Sequence, residues 1–341
     1  MPLTRWAGID EAGYGPNLGP LVMVAVVAES RSADASRDVA RPDLWLDLRD
    51  TVRRAGDHGA RHRLLLDDSK AIVQRKRGCD QLELTCFSAL AACAAASTSA
   101  PNADLVAPAH PTSLGALLKA VGAGTLADAE ISLWLDGNDP PLPRFAAPEV
   151  VLAAPRARPF ETQAWRLVDI RAAVVGPQRM NAGIERTGSK ATVHFDAFAT
   201  LLRTLWTDLP AGSTAHLRGD KHGGRNFYRD LLQAALAESA VESLVEGASA
   251  SRYVARSNSK TMTIELMPRA DGDDGLTALA SMFAKLIREI WMAAFNDHWL
   301  ARIPNLKPTA GYPVDAKRFR DAVEPACRDR GLDLDAWWRR K

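Results

Sequence analysis

Hydrophobic positions along this chain change period several times, and each change marks an element. Near the start, Trp6 to Asp10 reads as a short strand. The continuously apolar run Leu21 to Ala28, with β-branched Val22, Val24, Val26 and Val27, predicts a second. Leu44 to Val52 predicts one short helix, and Leu64-Leu65-Leu66 a brief strand. A helix is expected from about Ile72 to Ala96, with Leu82, Phe87 and Leu90 along its apolar side. Residues 97–159 are rich in Ala, Pro and Gly. They predict a helix (Leu114 to Val121), strands at Ile131 to Leu135 and Val150 to Ala153, and a turn at Asp136-Gly137-Asn138-Asp139-Pro140.

Regularity returns with a strand over Arg166 to Val175, a short helix carrying Met180 and Ile184, and a longer helix over Ala191 to Leu209. Then follow a strand (Ser213 to Leu217), a helix (Asn226 to Leu236) and strands at Val241 to Val245, Tyr253 to Arg256 and Thr261 to Leu266, the last two a hairpin around Asn258. The clearest pattern is a helix from Leu276 to about Leu300, whose buried stripe is Leu276, Leu279, Ala280, Phe283, Ile287, Ile290, Trp291 and Ala294. Asp315 to Arg328 predicts a final helix.

The candidate chemistry sits where these elements end. Asp10 and Glu11 close the first strand and run into Gly13-Tyr14-Gly15-Pro16-Asn17-Leu18-Gly19-Pro20, a turn whose glycines allow positive φ or close backbone approach to another molecule. Adjacent acids beside exposed backbone donors suit a metal bound next to a phosphate. Asp220 follows another strand and precedes a glycine-bearing turn, and strand ends of an open α/β sheet gather along one ligand-binding edge. A helix packed across that edge brings Glu289 beside them. Four such carboxylates need cations to offset their repulsion, and hard oxygen donors suit Mg2+ or Mn2+. Simpler readings exist for parts of this set. Asp67, Asp68 and Ser69 suffice as helix caps, and Lys285 with Glu289 is an i, i+4 ion pair worth about 0.3 kcal/mol.

Composition narrows the class. The 341 residues are 47% hydrophobic and 25% charged, enough for a large core in an ordinary globular protein. The net charge of +2 leaves any basic surface local, as at Arg218 to Arg229, Arg302 to Arg320 and Trp337-Trp338-Arg339-Arg340-Lys341. Cys79, Cys86 and Cys93 recur every seven residues and read as small buried side chains rather than a zinc or disulfide framework. Apolar runs are too short to span a bilayer and no signal-peptide pattern opens the chain, so no membrane association and a cytoplasmic location are expected. His194, His216, His222 and His298 lack metal-ligand spacing and read as structural or solvent-facing; His222 stands out for lying two residues after Asp220.

Gly8-Ile9-Asp10-Glu11-Ala12-Gly13-Tyr14-Gly15-Pro16, followed by Gly19-Pro20, resembles the opening signature of type 2 ribonucleases H, the ribonuclease HII family. Asp68-Ser69-Lys70 is similar to that family's Asp-Ser-Lys segment, Asp220 to its third metal-binding carboxylate, and Ala280-Ser281-Met282-Phe283-Ala284-Lys285 with Arg288-Glu289 to its Arg-Asp helix. Gly311-Tyr312-Pro313 resembles the segment whose tyrosine packs on a sugar. The matches are islands between residues 8 and 318, and three positions depart from the pattern. Tyr14 stands where arginine is usual, Glu289 where aspartate is, and Lys221 where glycine follows the acid.

The resemblance implies a single α/β domain of the ribonuclease H kind over 1–341: a central mixed sheet with helices on both faces, an insertion or subdomain at 80–160 and a helical extension at 302–341. It implies a metal-dependent endonuclease acting on the RNA strand of RNA–DNA hybrids or at ribonucleotides in duplex DNA. Asp10, Glu11, Asp220 and Glu289 would hold two Mg2+ or Mn2+ ions. Gly13, Tyr14 and Gly15 would sense the 2′-hydroxyl, Ser69, Lys70 and Lys285 would meet phosphates, and Tyr312 a sugar. The other readings are a non-catalytic hybrid-binding protein of the same fold and a related nuclease with a different nucleic-acid substrate.

Overall fold

A computed structural model describes residues 3–31, 40–57, 62–97, 110–151 and 160–340. Its centre is a seven-stranded sheet in the order β5-β2-β1-β6-β9-β8-β7. The strands are β1 (Thr4–Ala12), β2 (Leu21–Ser30), β5 (Trp165–Val175), β6 (Thr214–Asp220), β7 (Ala240–Glu246), β8 (Ser251–Arg256) and β9 (Thr261–Met267). A separate parallel pair joins β3 (Val52–Arg53) to β4 (Leu64–Leu65). β5, β2 and β1 pair antiparallel, β1, β6 and β9 run parallel, and β8 and β7 return antiparallel. The sheet is therefore mixed, and the ends of β1, β6 and β9 share one edge.

Helices cover both faces. On one lie α1 (Leu44–Asp47), α2 (Ser69–Val73), α3 (Gly78–Ser97), α4 (Leu114–Ala120) and most of a 26-residue helix; on the other lie α5 (Pro177–Thr187), α6 (Lys190–Thr207) and α7 (Arg229–Ala235). A short turn, α8 (Ala270–Asp273), precedes the long α9 (Gly275–Leu300), and α10 (Pro313–Asp329) follows it. Strand alternation sorts the side chains. Trp6, Val22, Val24 and Val26 join the α9-side core, whereas Ala7, Ile9, Met23, Ala25 and Val27 join the α6-side core. The α/β class and mixed sheet with helices on both faces are as expected. No helix among the described residues is long and apolar enough to cross a membrane.

Some elements differ from expectation. The helix expected over Ile72 to Ala96 breaks at 74–77, where Arg77 adopts φ 62° and a Cβ on Gly78 would lie 2.2 Å from the Ile72 carbonyl oxygen. Only Leu44–Asp47 of the first expected helix is helical. Ile131 to Leu135 is a turn, closed by Leu135 N donating to Ile131 O; it buries Ile131 and Trp134 and exposes Ser132 and Leu133, a spacing that a turn satisfies as well as a strand. Val150 and Val151 are helical, as are 148 and 149, and the rest of that expected strand, 152–153, lies outside the described residues. Within the region expected as an insertion, α3 packs against β5 and α9.

The placement of α9 rests on one glycine. A Cβ on Gly8 would stand 2.2 Å from Thr277 N and 2.3 Å from Leu276 C, so the first turn of α9 lies directly on the backbone of β1. Asp274 caps that turn, accepting from Thr277 N at 3.0 Å and Thr277 Oγ1 at 2.7 Å. Arg41 pairs with the buried Asp274 carboxylate at 2.6 and 2.8 Å and also donates to the carbonyls of Ala7 and His216. One guanidinium thus ties the helix cap to β1 and β6.

Gly8→Ala is expected to destabilise the fold by about 3 kcal/mol, since backbone on both sides must move. Gly219→Ala, whose Cβ would meet Ile9 O at 3.1 Å, should cost only about 1 kcal/mol. Denaturant midpoints of the two variants check this; equal losses would mean that α9 does not depend on the contact.

Candidate active site

Asp10 and Glu11 are neighbours in β1, so the pleat aims them at opposite faces. Asp10 lies on the α9 side, buried, and hydrogen-bonds Ser281. Burial first, then the charges of Glu11 and Asp271, push its carboxyl well above the usual range. Glu11 faces α6, where His194 Nε2 stands 3.7 Å from its Oε2. Burial pulls the Glu11 carboxyl upward, but hydrogen bonding and charge from His194, helped by His222, bring it below the usual value. Parallel pairing of Gly8 with Arg218 and Ile9 with Gly219 carries Asp220 to the same edge as Asp10.

Asp220 accepts from the backbone N–H groups of Lys221 at 3.0 Å and Arg269 at 2.7 Å. Burial nevertheless raises its carboxyl. Asp68 also lines the cleft, and so does Asp271, on α8 just past the end of β9. Burial, with Asp68 and Asp220 nearby, pushes it up to about 6, and Lys70 only partly offsets them.

These groups line one open cleft of about 490 Å³, together with Gly13, Tyr14, Gly15, Ser69, Lys70, Lys285 and Tyr312. A larger hollow of about 810 Å³ lies elsewhere, and the acids in its lining are Asp57 and Asp80. Gly13 and Gly19 adopt φ of 91° and 81°, where side chains are strained, and a Cβ on Gly13 would meet Pro20 O at 2.3 Å. Gly15 borders open space. Asp68 caps α2 through Lys70 N, as the capping argument expects, while Ser69 Oγ meets Ser281 Oγ at 3.0 Å and locks α2 to α9. The exposed Tyr312 begins α10, and Gly311 O accepts from Asn17 N and Leu18 N, which fixes that segment to the glycine turn. Arg288, buried under the turn, donates to Leu18 O and Ala310 O.

Glu289 lies apart from these acids. It is absent from the cleft lining; its Oε1 pairs with Lys285 Nζ at 2.6 Å and stands 3.6 Å from Arg288 Nη1. Eight residues beyond Ser281, it sits about 80° further round the helix, on the flank toward α3. It is the helix-surface ion pair that its spacing allowed. The Lys221 ammonium does not face the acids but donates to Asn226 Oδ1 at 2.7 Å and to Gly247 O. Buried His194 and half-buried His222 stand behind Glu11, with ring centroids 4.6 Å apart. Desolvation first, then His194, lowers His222 to about 3, so it is neutral at physiological pH.

Asp10, Glu11, Asp220 and Asp271 give an all-oxygen, anionic donor set in which three carboxyls, those of Asp10, Asp220 and Asp271, are raised by burial first and by neighbouring acids after it. Such a set fits a hard divalent cation, whose charge would relieve the repulsion. Among the described residues no three His, Cys, Asp or Glu side chains stand arranged to hold an ion by themselves. Asp10 and Glu11 leave β1 toward opposite faces, although their carboxyls still meet at the strand end, and Asp220 accepts from backbone amides.

No protein-family model matches the chain, and no curated protein matches it in sequence. Among solved structures it is similar to ribonuclease H2 from Pyrococcus horikoshii OT3, at 16% identity and TM-score 0.44 over 98% of this chain and 92% of that one. It is similar to ribonuclease HII in its PCNA complex from Archaeoglobus fulgidus, at 14% identity and TM-score 0.39 over 98% and 93%. A third is Bst-RNase HIII in complex with Mn2+, at 14% identity and TM-score 0.36 over 99% and 67%.

Proposed function

We propose that the chain is a divergent type 2 ribonuclease H, a metal-dependent endonuclease that hydrolyses RNA in RNA–DNA hybrids or the phosphodiester at a ribonucleotide in duplex DNA. The observation that carries this reading is the convergence of Asp10, Glu11, Asp220 and Asp271 on one cleft roofed by the glycine turn and edged by Lys70 and Lys285. These four acids would hold Mg2+ or Mn2+. An ion of this class supplies a water of lowered pKa and neutralises charge that builds on phosphate oxygens.

The chain's own groups do the rest. Lys70 and Lys285, both in the cleft lining, meet the backbone phosphates. Ser69 fixes the Lys70 helix to α9 through Ser281, so cation and acids keep one spacing. The Gly13-Tyr14-Gly15 turn faces the cleft, and its backbone groups suit the ribose 2′-hydroxyl, by which RNA is told from DNA. Exposed Tyr312 offers its ring to a sugar. His194 holds the Glu11 carboxylate from behind, keeping it ionised beside the more basic Asp10.

Asp10→Asn and Asp271→Asn are each expected to abolish cleavage of a duplex carrying one ribonucleotide, with circular dichroism unchanged. Glu289→Gln should cut close to the wild-type rate. Loss of cleavage in Glu289→Gln with Asp271→Asn still active would reverse the assignment of the fourth acid. A wild type that cuts neither hybrid nor ribonucleotide-bearing duplex, with Mg2+ or Mn2+, would falsify the nuclease reading.

Stability provides an independent readout. A carboxyl whose folded value exceeds its unfolded value opposes folding once ionised. Without metal, stability should therefore fall as pH rises through about 6, where Asp271 titrates. Asp271→Asn should flatten that step in thermal melts. Mg2+ at a hundred times its Kd should restore about 2.7 kcal/mol, with most effect above the step.

A further inference from the structure

The glycine turn is held from below by a segment more than 300 residues away in sequence. Residues 337–340 lie against it: Leu18 bridges Trp338, Arg339 N donates to Asn17 O at 2.8 Å, and Asn17 Nδ2 donates to Arg339 O at 3.1 Å. The Arg339 guanidinium, 1% exposed, donates to three carbonyls of the turn: Gly13 O, Tyr14 O at 3.1 Å and Gly19 O at 3.4 Å. No carboxylate pairs with it among the described residues, and Arg288 lies close enough to lower its pKa further after burial, to about 10. A charged group this deep is costly unless its hydrogen bonds are worth keeping. Here its acceptors are carbonyls of the turn.

The direction of those bonds matters. Peptide units are rigid and planar, so pulling the carbonyls of Gly13 and Tyr14 toward the buried guanidinium turns the following N–H groups, those of Tyr14 and Gly15, the opposite way. The segment is itself anchored elsewhere, since Asn181 of α5 donates to Trp338 O at 2.8 Å and accepts from Arg340 N at 2.7 Å. Resting on the nuclease reading above, we propose that Arg339 is a positioning residue: through its bonds to Gly13 O and Tyr14 O it holds the turn in the shape that reads a ribose 2′-hydroxyl. The strap formed by residues 337–340 thereby sets ribonucleotide discrimination rather than general duplex affinity.

The test uses the full chain, Arg339→Ala and Asn181→Ala, and two duplexes that differ by a single ribonucleotide. Amide exchange over residues 13–19 should speed up in Arg339→Ala and, less so, in Asn181→Ala. Affinity for the ribonucleotide duplex should fall about tenfold in Arg339→Ala, as when a charged hydrogen-bond partner is lost. Affinity for the all-DNA duplex should stay unchanged, because Lys70 and Lys285 are untouched. If Arg339→Ala does not fold, Arg339→Lys, which keeps the charge and loses the fork, takes its place. Unchanged exchange over the turn overturns the proposal, and so does an equal loss of affinity for both duplexes. A wild type that binds the two duplexes alike sinks the nuclease reading instead, and exchange alone then decides whether the strap orders the turn.

Discussion

The contact between Gly8 and the first turn of α9 sets the geometry on which the cleft depends. With no side chain at that position, helix and strand touch backbone to backbone. The approach fixes how far along β1 the helix begins and which way it faces. Asp274 caps the turn, and Arg41 binds that cap to β1 and β6. From this anchor the helix carries Ser281 to Asp10, Lys285 to the cleft wall, and Arg288 beneath the glycine turn. A single missing methyl group at one end of the helix therefore positions side chains three turns away.

What that anchor assembles is electrostatically unfavourable on its own. Asp10 is buried beside Glu11 and Asp271, and its carboxyl is raised accordingly. Glu11 escapes because the pleat turns it to the other face, where His194 meets it. The two adjacent acids thus differ in basicity through the faces they occupy, not through their identity. A fold that places acids together at such cost gains nothing in stability from them, which is the usual mark of groups kept for binding or chemistry.

The cleft was only partly legible in the sequence. Asp10 and Asp220 were, because both close strands and the ends of parallel strands share an edge. The same argument applied to the strand ending near Leu266 points to Asp271, five residues on, although the acid-rich run from Asp271 to Asp274 also reads as a helix start. Glu289 was drawn in by its helix and by the resemblance of that helix to a family motif. Its ion pair with Lys285 was visible in the spacing and is what the structure contains. Nothing in the sequence signalled His194, a buried position within the apolar pattern of α6, or Arg339, whose partners lie at the other end of the chain.

By itself the sequence determined the local periods: which stretches pleat, which wind, and which turns need glycine. Those follow from short-range sterics and from the burial of one face, and so they survive without knowledge of the partner. Only the tertiary structure decided which helix flank faces the sheet edge, that Asp271 lines the cleft while Glu289 pairs with Lys285 outside its lining, and that the segment around Arg339 packs against the glycine turn. A helix repeat gives relative angles around its own axis but not the rotation of that axis against a sheet. That rotation is fixed by contacts such as Gly8 with Thr277, made between residues far apart in the chain.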